Sequence, residues 1–141
     1  MAKFHHYLNF NGRCKAAFDL YRSVFGGEFT QVMLYKDMPS DSPMPDEVGK
    51  QVMHMGLPLG EGLYLMGSDI PEMMAPKVTH GSQHYICISP DDEKQAKDWF
   101  DRLAEGGAVK TPLDHQFWGA LFGEVTDKFG INWMINLENE Q

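Results

Sequence analysis

The side chains able to do chemistry in this chain fall mostly on segments with strand character. His54, in the run QVMHMG, is the histidine best placed to meet a ligand. An imidazole donates and accepts hydrogen bonds, titrates near neutral pH and binds metals, although the commoner role for a strand histidine is structural. His5, Tyr7 and Asn9 alternate along FHHYLNF and project to one face of a strand, with Phe4, His6, Leu8 and Phe10 on the other. Gln83 and Tyr85 alternate in the same way ahead of Ile86 and Ile88. In the last apolar run, Met134 and Asn136 alternate with Trp133, Ile135 and Leu137. Tyr64 joins them from the second arm of a hairpin. Together these residues form an apolar wall with a few hydrogen-bonding groups, the usual make-up of a small-molecule site. Trp118 is placed either to stack on a flat ligand or to sit at a subunit edge.

Other chemistries lack their signatures. No serine elbow, phosphate loop or Cys–His pair at telling spacing occurs. Cys14 falls in a helical pattern and Cys87 in a strand pattern, so both read as small buried thiols and not as a disulfide or redox pair. Asp91-Asp92-Glu93 reads as a helix start, Asp69 in MGSDIP as turn chemistry, and His6 and His84 as packing residues. The ten methionines suit either a soft apolar pocket or a Met-rich core. Twenty acidic against 12 basic side chains give a net charge of −8, which disfavours nucleic acid and anionic membrane surfaces as partners. No apolar run is long enough to span a bilayer and MAKFHHYLNF lacks a signal-like apolar stretch, so a cytoplasmic location is expected.

The elements that must position these residues read as a repeat. Phe4–Phe10 is a strand. Asn11 offers an N-cap to a helix whose stripe is Cys14, Ala17, Phe18, Tyr21 and Phe25, and Gly26-Gly27 ends it. Glu28–Tyr35 is a second strand, and Asp37–Lys50, with three prolines and no periodicity, a loop suited to a flap. Gln51–Leu57 and Gly62–Met66 make a hairpin around Pro58-Leu59-Gly60-Glu61. Then Gln83–Ile88 is a strand, Ser89-Pro90 starts a helix with Ala96, Trp99, Phe100 and Leu103 on its stripe, and Gly106-Gly107 closes it. Strands near Ala108–Thr111, Phe117–Thr126 and Ile131–Leu137 follow, the last two joined by the turn Asp127-Lys128-Phe129-Gly130 with Gly130 at positive φ. Each half is β-α-β-β-β. His6-Tyr7 and His84-Tyr85 lie 78 residues apart (6 to 84) and the double glycines 80 apart (26 to 106). The expected organisation is a single α+β domain with module 1 over about 1–68, a connector over about 69–81 and module 2 over about 82–141.

This arrangement, with YLNFNG…AFDLYRSVFGGEF in front and WGALFGEVTDKFGINWMIN behind, resembles the vicinal oxygen chelate superfamily of glyoxalases, bleomycin-resistance proteins and extradiol dioxygenases. HMGLPLGEGLYLMGSD and WG…VTDKFG are similar to its PhnB-like branch. The resemblance implies two βαβββ modules forming a cupped mixed sheet around a cavity, assembled as a homodimer. Some members of that branch carry a ubiquinone-pathway methyltransferase label. This chain has no glycine-rich loop after a first strand in a βαβ setting to hold such a cofactor, which argues against that activity.

Metal-using members of the superfamily place His, Glu or Gln on the first and fourth strands of each half. The matching positions here are His5, Gln83, Tyr64 (Leu65 if the register slips) and Met134 (Trp133). A thioether and a neutral phenol are poor ligands for zinc or a hard divalent ion, so the set is incomplete. The expectation is a small organic ligand bound in a largely apolar cavity, with no cofactor and no catalytic metal. The rivals are a metal-dependent lyase, isomerase or dioxygenase of the same superfamily, and a structural domain whose own side chains fill the cavity.

Overall fold

Alternation and helical stripes produce the elements, and hydrogen-bond register aligns them. The structure is a computed structural model that describes residues 2–39, 44–60, 63–74 and 76–138. The chain divides into two units, Met1–Thr79 and His80–Gln141. In the first, β1 (His6–Phe10), α1 (Cys14–Phe25), β2 (Thr30–Leu34), β3 (Val52–Pro58) and β4 (Tyr64–Asp69) follow in order, with one helical turn, α2 (Asp46–Gly49), between β2 and β3. The second has β5 (Ile86–Ile88), α3 (Glu93–Ala104), β6 (Ala108–His115), β7 (Ala120–Thr126) and β8 (Asn132–Glu138). The sheets run β1-β4-β3-β2 and β5-β8-β7-β6. In both, the first pair is parallel and the rest antiparallel. The fold is therefore α+β, built of two βαβββ modules with mixed sheets.

Each helix covers one face of its own sheet. Cys14, Ala17, Phe18, Tyr21 and Val24 are buried on α1, with Leu8, Phe10, Met55, Leu57 and Leu65 buried on the strands. Val24 takes the place expected of Phe25, which is half-buried. Gly67 faces this helix, since a methyl there would stand 2.7 Å from the Phe18 ring. On α3, Ala96, Phe100 and Leu103 are buried, and a methyl at Gly123 would meet Phe100 at 2.6 Å. Burying each large side chain stabilises the fold by about 1.5–3 kcal/mol.

Tertiary structure overrides several local expectations. Asn11 does not cap α1. Arg13 holds the N-cap position, and the backbone N–H groups of Gly12 and Cys14 donate to Asp69 Oδ1, both at 2.9 Å. Asp69 Oδ2 also accepts from the Val52 N–H at 3.0 Å. Asp69 thus joins the end of β4 to two other elements from a position 2% exposed, a wider role than a local turn. α3 begins later than Ser89-Pro90, at Glu93, because Asp92 is its N-cap and accepts from the Gln95 N–H at 2.8 Å. The expected loop over 37–50 is helical at its described ends: a 3-10 turn at Tyr35–Asp37, closed by Asp37 accepting from the Leu34 N–H, and α2. Residues 40–43 lie outside the described residues, as do Glu61 and Gly62 of the expected hairpin. β5 is shorter than expected, leaving Gln83 and an exposed His84 ahead of it, so His84 does not pack beneath a helix. β6 runs on through Pro112, which an edge strand tolerates.

The turn between β7 and β8 is held by Asp127. Its Oδ1 accepts from the N–H groups of Phe129 and Ile131, its Oδ2 accepts from the Trp133 indole at 2.8 Å, and Gly130 takes φ +91° as the sequence indicates. The register also corrects the repeat. Tyr7 sits opposite Met66 as Cys87 sits opposite Met134, so Tyr7 corresponds to Cys87 and His5 to Tyr85, an offset of 80 (7 to 87). The matching His-Tyr dipeptides are two residues out of step. A slip of two leaves every side chain on its own face, so alternation cannot detect it.

Candidate functional site

The faces turned away from α1 and α3 carry the polar chemistry, and the register arranges them in matching rows. In the first sheet, Tyr7, Met66, Gly56 and Thr30 are aligned across β1, β4, β3 and β2. In the second, Cys87, Met134, Glu124 and Thr111 are aligned across β5, β8, β7 and β6. Thr30 corresponds to Thr111 and Met66 to Met134 in the repeat. Glycine in one module stands where glutamate stands in the other.

Two pairs organise the first row. The Tyr7 hydroxyl lies 3.3 Å from His54 Nδ1 with the rings 5.7 Å apart, so either group donates according to the imidazole tautomer. The Tyr64 hydroxyl bonds Thr30 Oγ1 at 2.7 Å and occupies the space above Gly56. The His5 ring stands edge-on to Tyr64 at 5.5 Å. A recess of about 390 Å³ beside that pair is lined by Phe4, His5, Pro58, Leu63 and Tyr64. Asn9 is exposed at the end of β1 and accepts from the Ser68 hydroxyl at 3.3 Å. His5, Tyr7, His54, Tyr64 and Asn9 therefore lie on or beside one face of the first unit.

The remaining expected site residues belong to the second unit. Met134 and Asn136 are half-buried on the face away from α3, while Trp133 and Ile135 are buried beneath it. Tyr85 is half-buried and Gln83 exposed, both ahead of β5. Trp118 is not on the strand. It lies in the turn before β7, closed by the Gly119 N–H donating to the Gln116 carbonyl at 3.0 Å, and its ring meets Phe122 edge-on at 5.8 Å.

Sequence reasoning missed Glu124, Thr111 and Thr30. Glu124 was accessible from alternation, since Phe122, Glu124 and Thr126 share a parity opposite to buried Leu121 and Val125. The threonines emerge only from the register. The Thr111 hydroxyl donates to Glu124 Oε1 at 2.7 Å. Cys87 is exposed on this face and not buried as its strand pattern suggests, because it alternates with buried Ile86 and Ile88; partial desolvation still raises its thiol above the ordinary value, so it is a neutral thiol and not a ready nucleophile. Cys14, buried in the first turn of α1, is raised further by desolvation and the neighbouring Asp69 carboxylate.

Of the expected ligand positions, Tyr64 and Met134 are poorly suited to a divalent cation. Tyr64 is engaged with Thr30, His54 Nδ1 with Tyr7, and Met134 presents a thioether. Among the described residues, no three His, Cys, Asp or Glu side chains converge as metal ligands.

Two βαβββ modules of identical strand order, each with a polar face opposite its helix, define a class. The chain belongs to the Glyoxalase/Bleomycin resistance protein/Dioxygenase superfamily, whose model it matches over residues 3–135. It is similar to protein YjdN of Escherichia coli (strain K12), 32% identical over 142 residues that span 96% of this chain and 95% of that protein. Among solved structures it is similar to protein PA1353 of Pseudomonas aeruginosa, with 34% identity, a TM-score of 0.84, and coverage of 99% of this chain and 100% of that one. A PhnB protein from Bacillus cereus shares the fold at 23% identity and a TM-score of 0.78, over 96% of this chain and 99% of that one.

Proposed function

We propose that this chain is a PhnB-like member of the superfamily that binds a small organic molecule against the helix-free faces of its sheets. The ligand is held by shape, oriented by hydrogen bonds, and handled without a catalytic metal. The observation that carries the reading is the Tyr7–His54 pair beside the Tyr64–Thr30 pair, four polar groups set among Met66, Met33 and aromatic rings. A mainly apolar wall with a few fixed hydrogen-bonding groups is what such sites use. The PhnB-like assignment rests on HMGLPLGEGLYLMGSD and VTDKFG. The first spans the hairpin that carries His54 and Tyr64, and the second forms the Asp127 turn.

The test is a thermal-shift screen of small neutral and charged organic molecules, with calorimetry of any hit on the wild type and on Tyr7→Phe and His54→Ala. Each substitution is expected to weaken binding by about 1 kcal/mol, the worth of one hydrogen bond, while leaving the melting temperature within a few degrees. Loss of stability with unchanged affinity would mean that these residues are structural. The same proposal includes a cytoplasmic location and a homodimer with two-fold symmetry, the latter because the outer strands β1, β2, β5 and β6 each present an unpaired edge within their own sheets. Sedimentation at micromolar concentration should give twice the chain mass, and a monomer alone would remove that part.

A further inference from the structure

The two rows differ at one position that decides the charge of what each can hold. We infer that the helix-free face of the second sheet binds an organic cation, an ammonium or amidinium on an apolar body, with Glu124 as its counter-charge and Trp118 and Phe122 as its wall. This rests on the reading that the chain binds small organic molecules, and it specifies their chemistry for one module.

Glu124 is half-buried in the middle of the sheet, with Met134 and Thr111 as cross-strand neighbours. Its one side-chain hydrogen bond among the described residues comes from Thr111 to Oε1, so Oε2 is left for water or a ligand. No lysine or arginine forms an ion pair with it among the described residues. A neutral ligand laid on this face would strip water from that oxygen and return at most one hydrogen bond, leaving its charge uncompensated. An anion would add repulsion. A cation restores what desolvation removes.

The aromatic residues select the same class independently. Phe122 precedes Glu124 by two residues on the same strand face, Trp118 contacts Phe122, and Phe117 contacts Trp118 edge-on at 5.2 Å. Trp118 is 55% exposed and Phe117 98% exposed, so ring surface adjoining Phe122 is open to a ligand. Aromatic faces attract cations within about 6 Å of the ring centre. The polarisable Met134 completes the wall. An inorganic cation fits poorly, since calcium or magnesium needs about six oxygen ligands and this row offers one carboxylate and a hydroxyl. In the first module, Gly56 and the Tyr64 hydroxyl hold the matching place, with no carboxylate there to select charge.

The experiment titrates the full chain, labelled with ¹³C at the methionine methyls, with benzyltrimethylammonium, benzyl alcohol and benzoate. Calorimetry is run in parallel. The ammonium probe should shift the Met134 methyl and bind about tenfold or more tightly than the alcohol, with benzoate weakest. Glu124→Gln should reduce that preference severalfold, and Trp118→Ala should weaken the ammonium probe severalfold. If Glu124→Gln does not fold, raising the salt concentration on the wild type should weaken the ammonium probe alone. Equal binding of the ammonium probe and the alcohol, or a preference undiminished both in Glu124→Gln and in high salt, overturns the inference. Failure of the underlying reading is distinguishable, because then no ligand of any charge shifts Met66 or Met134.

Discussion

The Tyr35 phenol donates to the Asp69 backbone carbonyl at 2.7 Å from a position only 7% exposed. Burial raises its pKa above the ordinary 10.0, helped by the Asp69 carboxylate and then by Tyr7. The neutral phenol is the form that the fold holds. Its contribution to stability is therefore complete below about pH 10 and declines as pH rises toward the raised folded value, because the unfolded chain gives up that proton more readily. Tyr35→Phe should cost about 1 kcal/mol at neutral pH and also remove this alkaline decline. Melting curves of both proteins between pH 7 and about 11 check this: the stability gap should narrow as pH rises. A constant gap would mean that Tyr35 does not titrate as described. Residues of this kind, with Asp69 and Asp127, anchor the elements from behind and leave the helix-free faces to Tyr7, His54, Tyr64 and Glu124.

At the scale of elements, Gly56 is the clearest lever. A methyl there would collide with the Tyr64 hydroxyl and stand 2.8 Å from Thr30 Oγ1. Gly56→Ala should displace Tyr64 from Thr30 and cost about 1–3 kcal/mol, as overpacking does. It should also change ligand affinity more than Gly81→Ala, since nothing lies within 4 Å of a methyl at Gly81 and its backbone is not at positive φ. Chemical denaturation and calorimetry measure both, and an unaltered Gly56→Ala protein would deny Tyr64 its place in the row. The reason such a glycine matters could not be read from the chain alone. Alternation along β1 and β8 correctly placed Tyr7 opposite in face to Leu8, and Met134 opposite to Trp133, because a half-buried strand must segregate its side chains. The helices α1 and α3, the β-α-β-β-β sequence of elements in each repeat and the Asp127 turn were legible for the same local reasons. Which residues stand side by side across strands depends on hydrogen-bond register. Hence the Thr30–Tyr64 and Thr111–Glu124 pairs escaped notice, and the His-Tyr repeat was matched two residues out of step. Asp69 defeated local reading in another way, since its carboxylate caps a helix that begins 55 residues earlier in the chain.

At the scale of the whole molecule, duplication explains the shared framework, and divergence at single row positions explains how two modules of one design come to hold different chemistry. The methionines report which face is used. Met66 and Met134 lie on the helix-free faces, whereas Met55 is fully buried on the α1 side, and Met73 lies 69% exposed after β4. The most direct measurement is therefore a methionine-methyl spectrum of the full chain titrated with a hit from the screen. The account predicts shifts at Met66, Met134 or both, saturating with the calorimetric affinity, with Met55 and Met73 unmoved. Shifts confined to Met73 or Met55, with Met66 and Met134 unchanged at saturation, would contradict it.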